Sequence, residues 1–319
     1  MSTKEQISAL LLKSQSVLIL PHIREDGDAA GSSLALALLL KACGKEAIVL
    51  YSEPLVPTLQ FLPGGMVYTE GMELPAYDLC VAVDCAAPDR IGSRLPLFEN
   101  APHSAVIDHH GTNPGYGDVC WVEGSSAATG LMIYDLYIAM NIAISPASAD
   151  ALYTAIFTDT GGFRFSSTDA RVLRTAASLL DAGAHHTKIY TEVYERVSPQ
   201  GYLLTARAMS KTKMYFGGSV AIICLTQEDF IAAGEKTENT DNISSLPRTI
   251  DGVELSVLLR ESKNGEIHAS IRTKARINAA TIALSFGGGG HERAAGFTVK
   301  EPMDTVEEKL LVAIEACMH

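Results

Sequence analysis

The chain has no surplus of basic residues: Lys and Arg total 25 against 37 Asp and Glu, for a formal net charge of −12. Proteins that wrap long nucleic acid draw most of their non-specific affinity from phosphate neutralisation. An acidic chain therefore disfavours long polyanions, long duplexes included. Long apolar runs are also missing. The most apolar stretch, residues 34–40, lies between Gly31-Ser32-Ser33 and Lys41. It falls far short of the ~20 residues that span a bilayer, so no membrane partner is expected. The start, MSTKEQISALLLK, has neither a basic segment nor a long apolar one, and no secretory leader is expected. Cys43, Cys80, Cys85, Cys120, Cys224 and Cys317 form no CxxC pair and no disulfide-framework spacing. Most sit among apolar neighbours, where cysteine acts as a small hydrophobe. A reduced, cytoplasmic chain is the expectation. Repeats and low-complexity segments are absent too.

What is present suits a soluble two-domain protein. The 319 residues are 47% hydrophobic and 19% charged, with 26 Gly and 13 Pro, which excludes disorder, collagen-like repeats and a coiled coil. A short amphipathic helix is expected at 5–13, then a strand at 16–20, a polar loop at 21–28 and a helix at 31–43. Further apolar runs of strand length stand at 47–51, 78–84 and 104–108, and helices at about 127–140 and 148–157. Continuous rather than alternating apolarity marks strands covered on both faces, and the α/β alternation predicts a doubly wound, mainly parallel sheet. Residues 173–211 read as helical with an interruption at Pro199-Gln200-Gly201. Strands at 219–225, 253–260 and 267–273, with Asn264-Gly265 as a turn, and a last helix at 304–317 indicate a smaller mixed α/β domain. The expected division is a first domain at 1–190, a helical linker at 191–212 and a second domain at 213–319.

Four segments carry chemistry. The loop His22-Ile23-Arg24-Glu25-Asp26-Gly27-Asp28 follows a strand and opens a helix, and the Asp-Gly-Asp spacing lets two carboxylates turn towards one point. Asp84 ends one apolar run, Asp108-His109-His110 ends another, and Asp159 ends an apolar helix. Singly, each reads equally well as a surface turn or a polar cap. Together they converge on the carboxyl edge of the predicted sheet, where open α/β folds place their ligands.

His22, Asp26, Asp28, Asp84, His109 and Asp159 supply carboxylates and imidazoles but no thiolate. Such a set favours hard, roughly octahedral ions, Mg²⁺ or Mn²⁺, with the imidazoles tilting towards Mn²⁺. Six side chains exceed one ion's need, so two ions about 3.5–4 Å apart fit better. Asp84, on the middle strand, is the expected bridge. The chemistry expected is hydrolysis of a phosphate ester or anhydride.

These segments, HIREDGDAAGSS, VAVDC, VIDHH and FTDTGGFRFSST, resemble the DHH phosphoesterase family, named for the triplet that stands here as Asp108-His109-His110. Near the other end, Phe286-Gly287-Gly288-Gly289-Gly290-His291-Glu292-Arg293-Ala294-Ala295-Gly296 resembles the signature of the DHH-associated substrate domain. The resemblance implies that His22, Asp26 and Asp84 hold one ion, and that Asp28, Asp84, His109 and Asp159 hold the other. It makes His110 the acid that protonates the leaving oxygen, with Asp108 orienting the histidine pair. One departure stands out: Glu25 takes the place of the family's usual proline, which loosens the loop, and its side chain is expected to point to solvent.

In the second domain, consecutive glycines let backbone N–H groups line a concavity for an anion, and His291 is placed to donate to a phosphate. On the strand at 267–274, His268, Ser270, Arg272 and Lys274 share one face. Periodicity alone fits a solvated face equally well; the family's arginine on this strand favours Arg272 as the phosphate contact. Arg272, Gly288, Gly289, Gly290 and His291 are the expected substrate-binding residues, and Arg164 is a further candidate in the first domain. His103, His185 and His186 fit no ligand set and are expected at the surface.

Among the family's short two-domain relatives, the likeness is to those that hydrolyse very short oligoribonucleotides to mononucleotides and 3′-phosphoadenosine-5′-phosphate to AMP. A cyclic dinucleotide phosphodiesterase is the alternative within the enzyme class, and a nucleotide-sensing module is the alternative outside it. Pyrophosphatase, exopolyphosphatase and long-strand exonuclease activities are disfavoured, the first two by the glycine loop. Oligomeric state is left open, a homodimer included.

Overall fold

The computed structural model describes residues 3–62, 67–69, 71–235 and 240–318. They form two compact units, 1–196 and 197–319.

The first unit holds a six-stranded sheet of β1 (Ser16–Pro21), β2 (Glu46–Tyr51), β3 (Val67–Thr69), β4 (Leu79–Val83), β5 (Ser104–Asp108) and β6 (Val119–Val122). Their order is β3-β2-β1-β4-β5-β6 and every pairing is parallel. The doubly wound sheet expected from continuous apolarity is present, for the reason given: β4 is buried along its whole length. Chain order reverses between β1 and β4, and a crevice opens beyond the carboxyl ends of strands at such a point.

Helices α1 (Thr3–Lys13), α2 (Gly27–Ala42), α3 (Leu95–Glu99), α4 (Thr129–Ala139), α5 (Pro146–Asp159), α6 (Ala170–Asp181) and α7 (His186–Tyr190) complete this unit. Helix α2 begins four residues before the expected Gly31, because Asp26 caps it: its Oδ1 accepts from the N–H groups of Asp28 and Ala29, both at 3.0 Å. Gly31 lets α2 lie directly on α5, since a Cβ there would overlap the Ala151 carbonyl. Strands β3 and β6 were not anticipated; each is short, and β3 carries no apolar run.

The second unit contains α8 (Pro199–Ser210), β7 (Lys213–Tyr215), β8 (Val220–Leu225), α9 (Gln227–Ala233), α10 (Asp241–Ser244), β9 (Leu255–Glu261), β10 (Ile267–Thr273), α11 (Ala279–Leu284), β11 (Gly289–Gly290), β12 (Ala294–Val299) and α12 (Met303–Met318). Its mixed sheet has the order β11-β12-β10-β9-β8-β7, with only β8 and β9 parallel. One face buries Val257, Ile271 and Phe297 with Ile282 of α11 and Leu310 of α12. On the other, Ile223 and Leu258 pack with Leu204 and Ala208 of α8 and Phe230 of α9. The segment expected as a helical linker at 191–212 does not stand apart: α8 buries Leu204 and Ala208 in the second unit, so apolar packing ties it there. Among the described residues, no helix is long and apolar enough to cross a membrane.

Candidate metal centre

The carboxyl ends of β1, β4 and β5 bring together the residues singled out in the sequence. His22 follows β1, Asp84 follows β4, and His109 and His110 follow β5. Helix α2 contributes Asp28 in its first turn and Asp26 at its cap, and α5 contributes Asp159 as its last residue. The other five expected ligands gather around Asp84. Its Oδ2 lies 3.8 Å from His22 Nε2, and its Oδ1 lies 3.6 Å from His109 Nε2. On the first side, His22 Nε2 is also 3.6 Å from Asp26 Oδ2. On the other, His109 Nε2 is 3.9 Å from Asp28 Oδ2 and 3.6 Å from Asp159 Oδ2. Asp26 and Asp28 thus face two adjacent positions, one on each side of Asp84, rather than a single point.

Both imidazoles are oriented by a backbone carbonyl at Nδ1. His22 Nδ1 donates to the Ile23 carbonyl at 2.8 Å, and His109 Nδ1 donates to the Ser126 carbonyl at 3.1 Å. Each Nε2 is left facing carboxylates. The carboxylates are held as firmly. Asp28 accepts from Thr129 N and Gly130 N at the start of α4 and from Ser32 Oγ, and Asp84 Oδ1 accepts from Thr129 Oγ1. Asp84 itself sits at φ 54°, a left-handed conformation that non-glycine residues adopt at a cost and that gathers at functional sites.

This crowding is electrostatically unfavourable unless a cation is present. Burial, and then Asp84, pushes the Asp28 carboxyl up to about 7. Burial with Asp26 lifts Asp84 to about 6, and burial with Asp28 lifts Asp159 to about 7. Burial opposes charge on the imidazoles, yet Asp26 and Asp84 hold His22 at about 9. Asp28, Asp84 and Asp159 do the same for His109. Buried carboxylates that repel one another and lean on protonated histidines for neutralisation fit a site built for divalent ions.

His110 is held differently. Its Nδ1 lies 2.7 Å from Asp108 Oδ1, a fully buried carboxylate whose Oδ2 accepts from Asn113 Nδ2 at 2.7 Å. Burial disfavours the imidazolium, but Asp108 outweighs it and the His110 pKa is raised. Thr129, Ser126 and Asn113 were not anticipated. Asn113, five residues past Asp108, is an ordinary loop residue by sequence.

Glu25 corrects an expectation. It does not point to solvent: it is buried and accepts from Ser52 N at 2.7 Å and Ser52 Oγ at 3.0 Å, and Arg94 Nη1 approaches it at 3.5 Å. Arg94, itself buried, also donates to the carbonyls of Leu50, Pro21 and Ile91. The loop that lacks proline is therefore tied to β2 by an internal acid rather than loosened. No periodic signal marks a lone arginine such as Arg94.

Arg272, Gly288, Gly289, Gly290 and His291 lie in the second unit. Arg272 is on the half-buried face of β10 with His268 and Ser270, as period two requires. The glycines are partly spoken for by packing: a Cβ on Gly288 would overlap the Gly296 carbonyl, whereas one on Gly289 would meet nothing within 4 Å. His291 N donates to Ala294 O and Gly288 N to Ala283 O. His103, His185 and His186 are exposed.

Comparison with known proteins shows the family. A family model described as the DHH family, N-terminal domain, matches residues 16–156, and one described as the DHHA1 domain matches residues 217–319. A Thermus thermophilus protein named bifunctional oligoribonuclease and PAP phosphatase NrnA is 37% identical over 316 residues, which is 98% of this chain and 93% of that protein. A Bacillus subtilis protein of the same name is 25% identical over 293 residues, 89% of each. The crystal structure of an exopolyphosphatase-related protein from Bacteroides fragilis matches with a TM-score of 0.91 at 25% identity, covering 98% of this chain and 96% of that one. With these two domain matches and a 37% identical relative over nearly its whole length, the chain belongs to the DHH family.

Proposed function

We propose that this protein is a cytoplasmic, two-metal phosphoesterase that hydrolyses very short oligoribonucleotides to mononucleotides and 3′-phosphoadenosine-5′-phosphate to AMP. The observation that carries the reading is Asp84, whose two oxygens face two separate His–Asp groups. The 37% identical relative bearing both activities in its name supports the substrate class. His22, Asp26 and Asp84 would hold one ion and Asp28, Asp84, His109 and Asp159 the other, with Mn²⁺ favoured over Mg²⁺ by the imidazoles. When bound, the ions supply neutralisation of the phosphoryl oxygens and a water acidic enough to attack phosphorus.

The chain's own residues do the rest. Hydrogen bonds from Thr129, Gly130 and Ser32 keep the Asp28 and Asp84 carboxylates aimed at the positions the ions would take. His110, whose pKa Asp108 raises, would deliver a proton to the leaving oxygen from the ring nitrogen that does not face Asp108. Arg272, His291 and the exposed glycines take the substrate's distal phosphate or nucleotide. The acidic balance of the chain restricts substrates to short pieces.

A hydrolysis panel tests this: pApA, 3′-phosphoadenosine-5′-phosphate, c-di-AMP, pyrophosphate and a long RNA, each with Mn²⁺ and with Mg²⁺. Fast turnover of the first two with Mn²⁺ is expected. Preference for c-di-AMP or pyrophosphate, or binding without turnover, overturns the reading.

A further inference from the structure

The chain leaves α5 through a strained turn. Gly161, Gly162 and Phe163 are all left-handed, with φ of 60°, 69° and 66°. A bulky side chain at positive φ persists only where its surroundings hold it there. The turn begins two residues after Asp159 and walls one side of a cavity of about 230 Å³. The lining is Gly161, Gly162, Arg164, Tyr190 and Tyr194, all in the first unit. Tyr190 ends α7, and Tyr194 sits in a π-helical turn at Thr191–Glu195, a distortion frequent at functional sites.

The lining has a defined chemistry. Arg164 Nε donates to the Gly161 carbonyl at 2.7 Å, and the guanidinium lies 5.8 Å from the centre of the Tyr194 ring. The Tyr194 ring is backed by Phe157 at 5.4 Å and flanked by Tyr190 at 5.8 Å. Tyr190 remains 43% exposed. Gly162 allows the turn to approach, since a Cβ there would lie 3.3 Å from the Tyr194 ring. Aromatic faces beside an arginine suit a planar, hydrogen-bonding ring better than a bare phosphate, which needs no stacking platform. The volume admits one such ring and not a whole dinucleotide.

We propose that this cavity is a nucleobase subsite, taking the base of the nucleoside next to the phosphate under attack. Tyr190 and Tyr194 supply the stacking surface. Arg164, which the sequence offered only as a candidate phosphate contact, sets the register of the base through its guanidinium. This rests on the proposed hydrolysis of nucleotide phosphoesters and adds to it a source of substrate selectivity in the first unit.

The test compares pApA with two dinucleotides in which one nucleoside or the other is abasic. Wild type is expected to discriminate against one of the two about tenfold or more, the scale of a lost base stack. Arg164→Ala and Tyr190→Leu, both at exposed positions, should erase that discrimination by raising KM for pApA with little change in kcat. Tyr194→Phe keeps the ring and should retain it, whereas Tyr194→Leu should not. Equal slowing of all three substrates, or unchanged discrimination in Arg164→Ala and Tyr190→Leu, overturns the subsite. Failure of wild type to hydrolyse any dinucleotide would instead remove the functional reading on which it rests.

Discussion

His110 Nδ1 lies 2.7 Å from Asp108 Oδ1, and the other oxygen of that buried carboxylate is held by Asn113. The relay runs from a loop amide through a strand-end carboxylate to an imidazole, which orients His110 and raises its pKa. Removing members of the relay should therefore affect turnover and leave metal binding intact. His110→Ala should lower kcat by about 10²–10⁴-fold, as for loss of a general acid. Asp108→Asn should lower it by about 10–100-fold. Calorimetric Mn²⁺ titration of both variants should match wild type; lost metal binding would place His110 among the ligands.

Asp84 should have opposite effects on activity and on metal-free stability. Asp84→Asn should remove Mn²⁺ binding and hydrolysis together. Burial and Asp26 make the native carboxylate unfavourable without metal, and asparagine tolerates the 54° φ. The metal-free variant should therefore melt above metal-free wild type, and Mn²⁺ should reverse the order. Retained hydrolysis would refute the bridging role.

Glu25 and Arg94 form a buried clasp, not a surface pair. Glu25→Ala removes the carboxylate facing a guanidinium that is 1% exposed. It should cost about 3–5 kcal/mol in urea unfolding. A change within 0.5 kcal/mol would show that the Arg94 carbonyl contacts alone hold the loop.

Neighbouring glycines in the second unit should behave differently. Gly288→Ala meets the Gly296 backbone and should destabilise that unit by about 1–3 kcal/mol through overpacking. Gly289→Ala meets nothing and should fold as wild type. A raised KM in Gly289→Ala then reports contact with substrate, and an unchanged KM removes Gly289 from the substrate site.

Glu307 gives a pH signature in the second unit. It accepts from Lys213 Nζ at 2.7 Å and Tyr215 OH at 2.6 Å. Burial opposes its charge, but these donors prevail and hold its pKa below the usual carboxylate range. Its stabilisation is therefore full above the unfolded carboxylate pKa and is lost as pH falls through the lower native value. Glu307→Gln should destabilise by about 1–3 kcal/mol at pH 7. Urea melts should show that gap closing below about pH 4, the lower edge of the ordinary carboxylate range.

The sequence by itself determined the doubly wound sheet, because buried parallel strands must be continuously apolar and the run at Leu79–Val83 has no other comfortable place. It also pointed to the acidic and histidine side chains that gather at one sheet edge, since residues at the carboxyl ends of such strands share that edge. Only the tertiary structure decided how they meet. That Asp26 and Asp28 face opposite sides of Asp84 depends on the capped start of α2 lying against α4 and α5. The inward turn of Glu25 depends on Arg94, 69 residues away. The grouping of Arg164 with Tyr190 and Tyr194 depends on a strained turn and a π-helical one. Strand pattern is a local consequence of solvent exclusion. Partner choice among polar side chains is set by packing between distant segments, and no period in the chain encodes it.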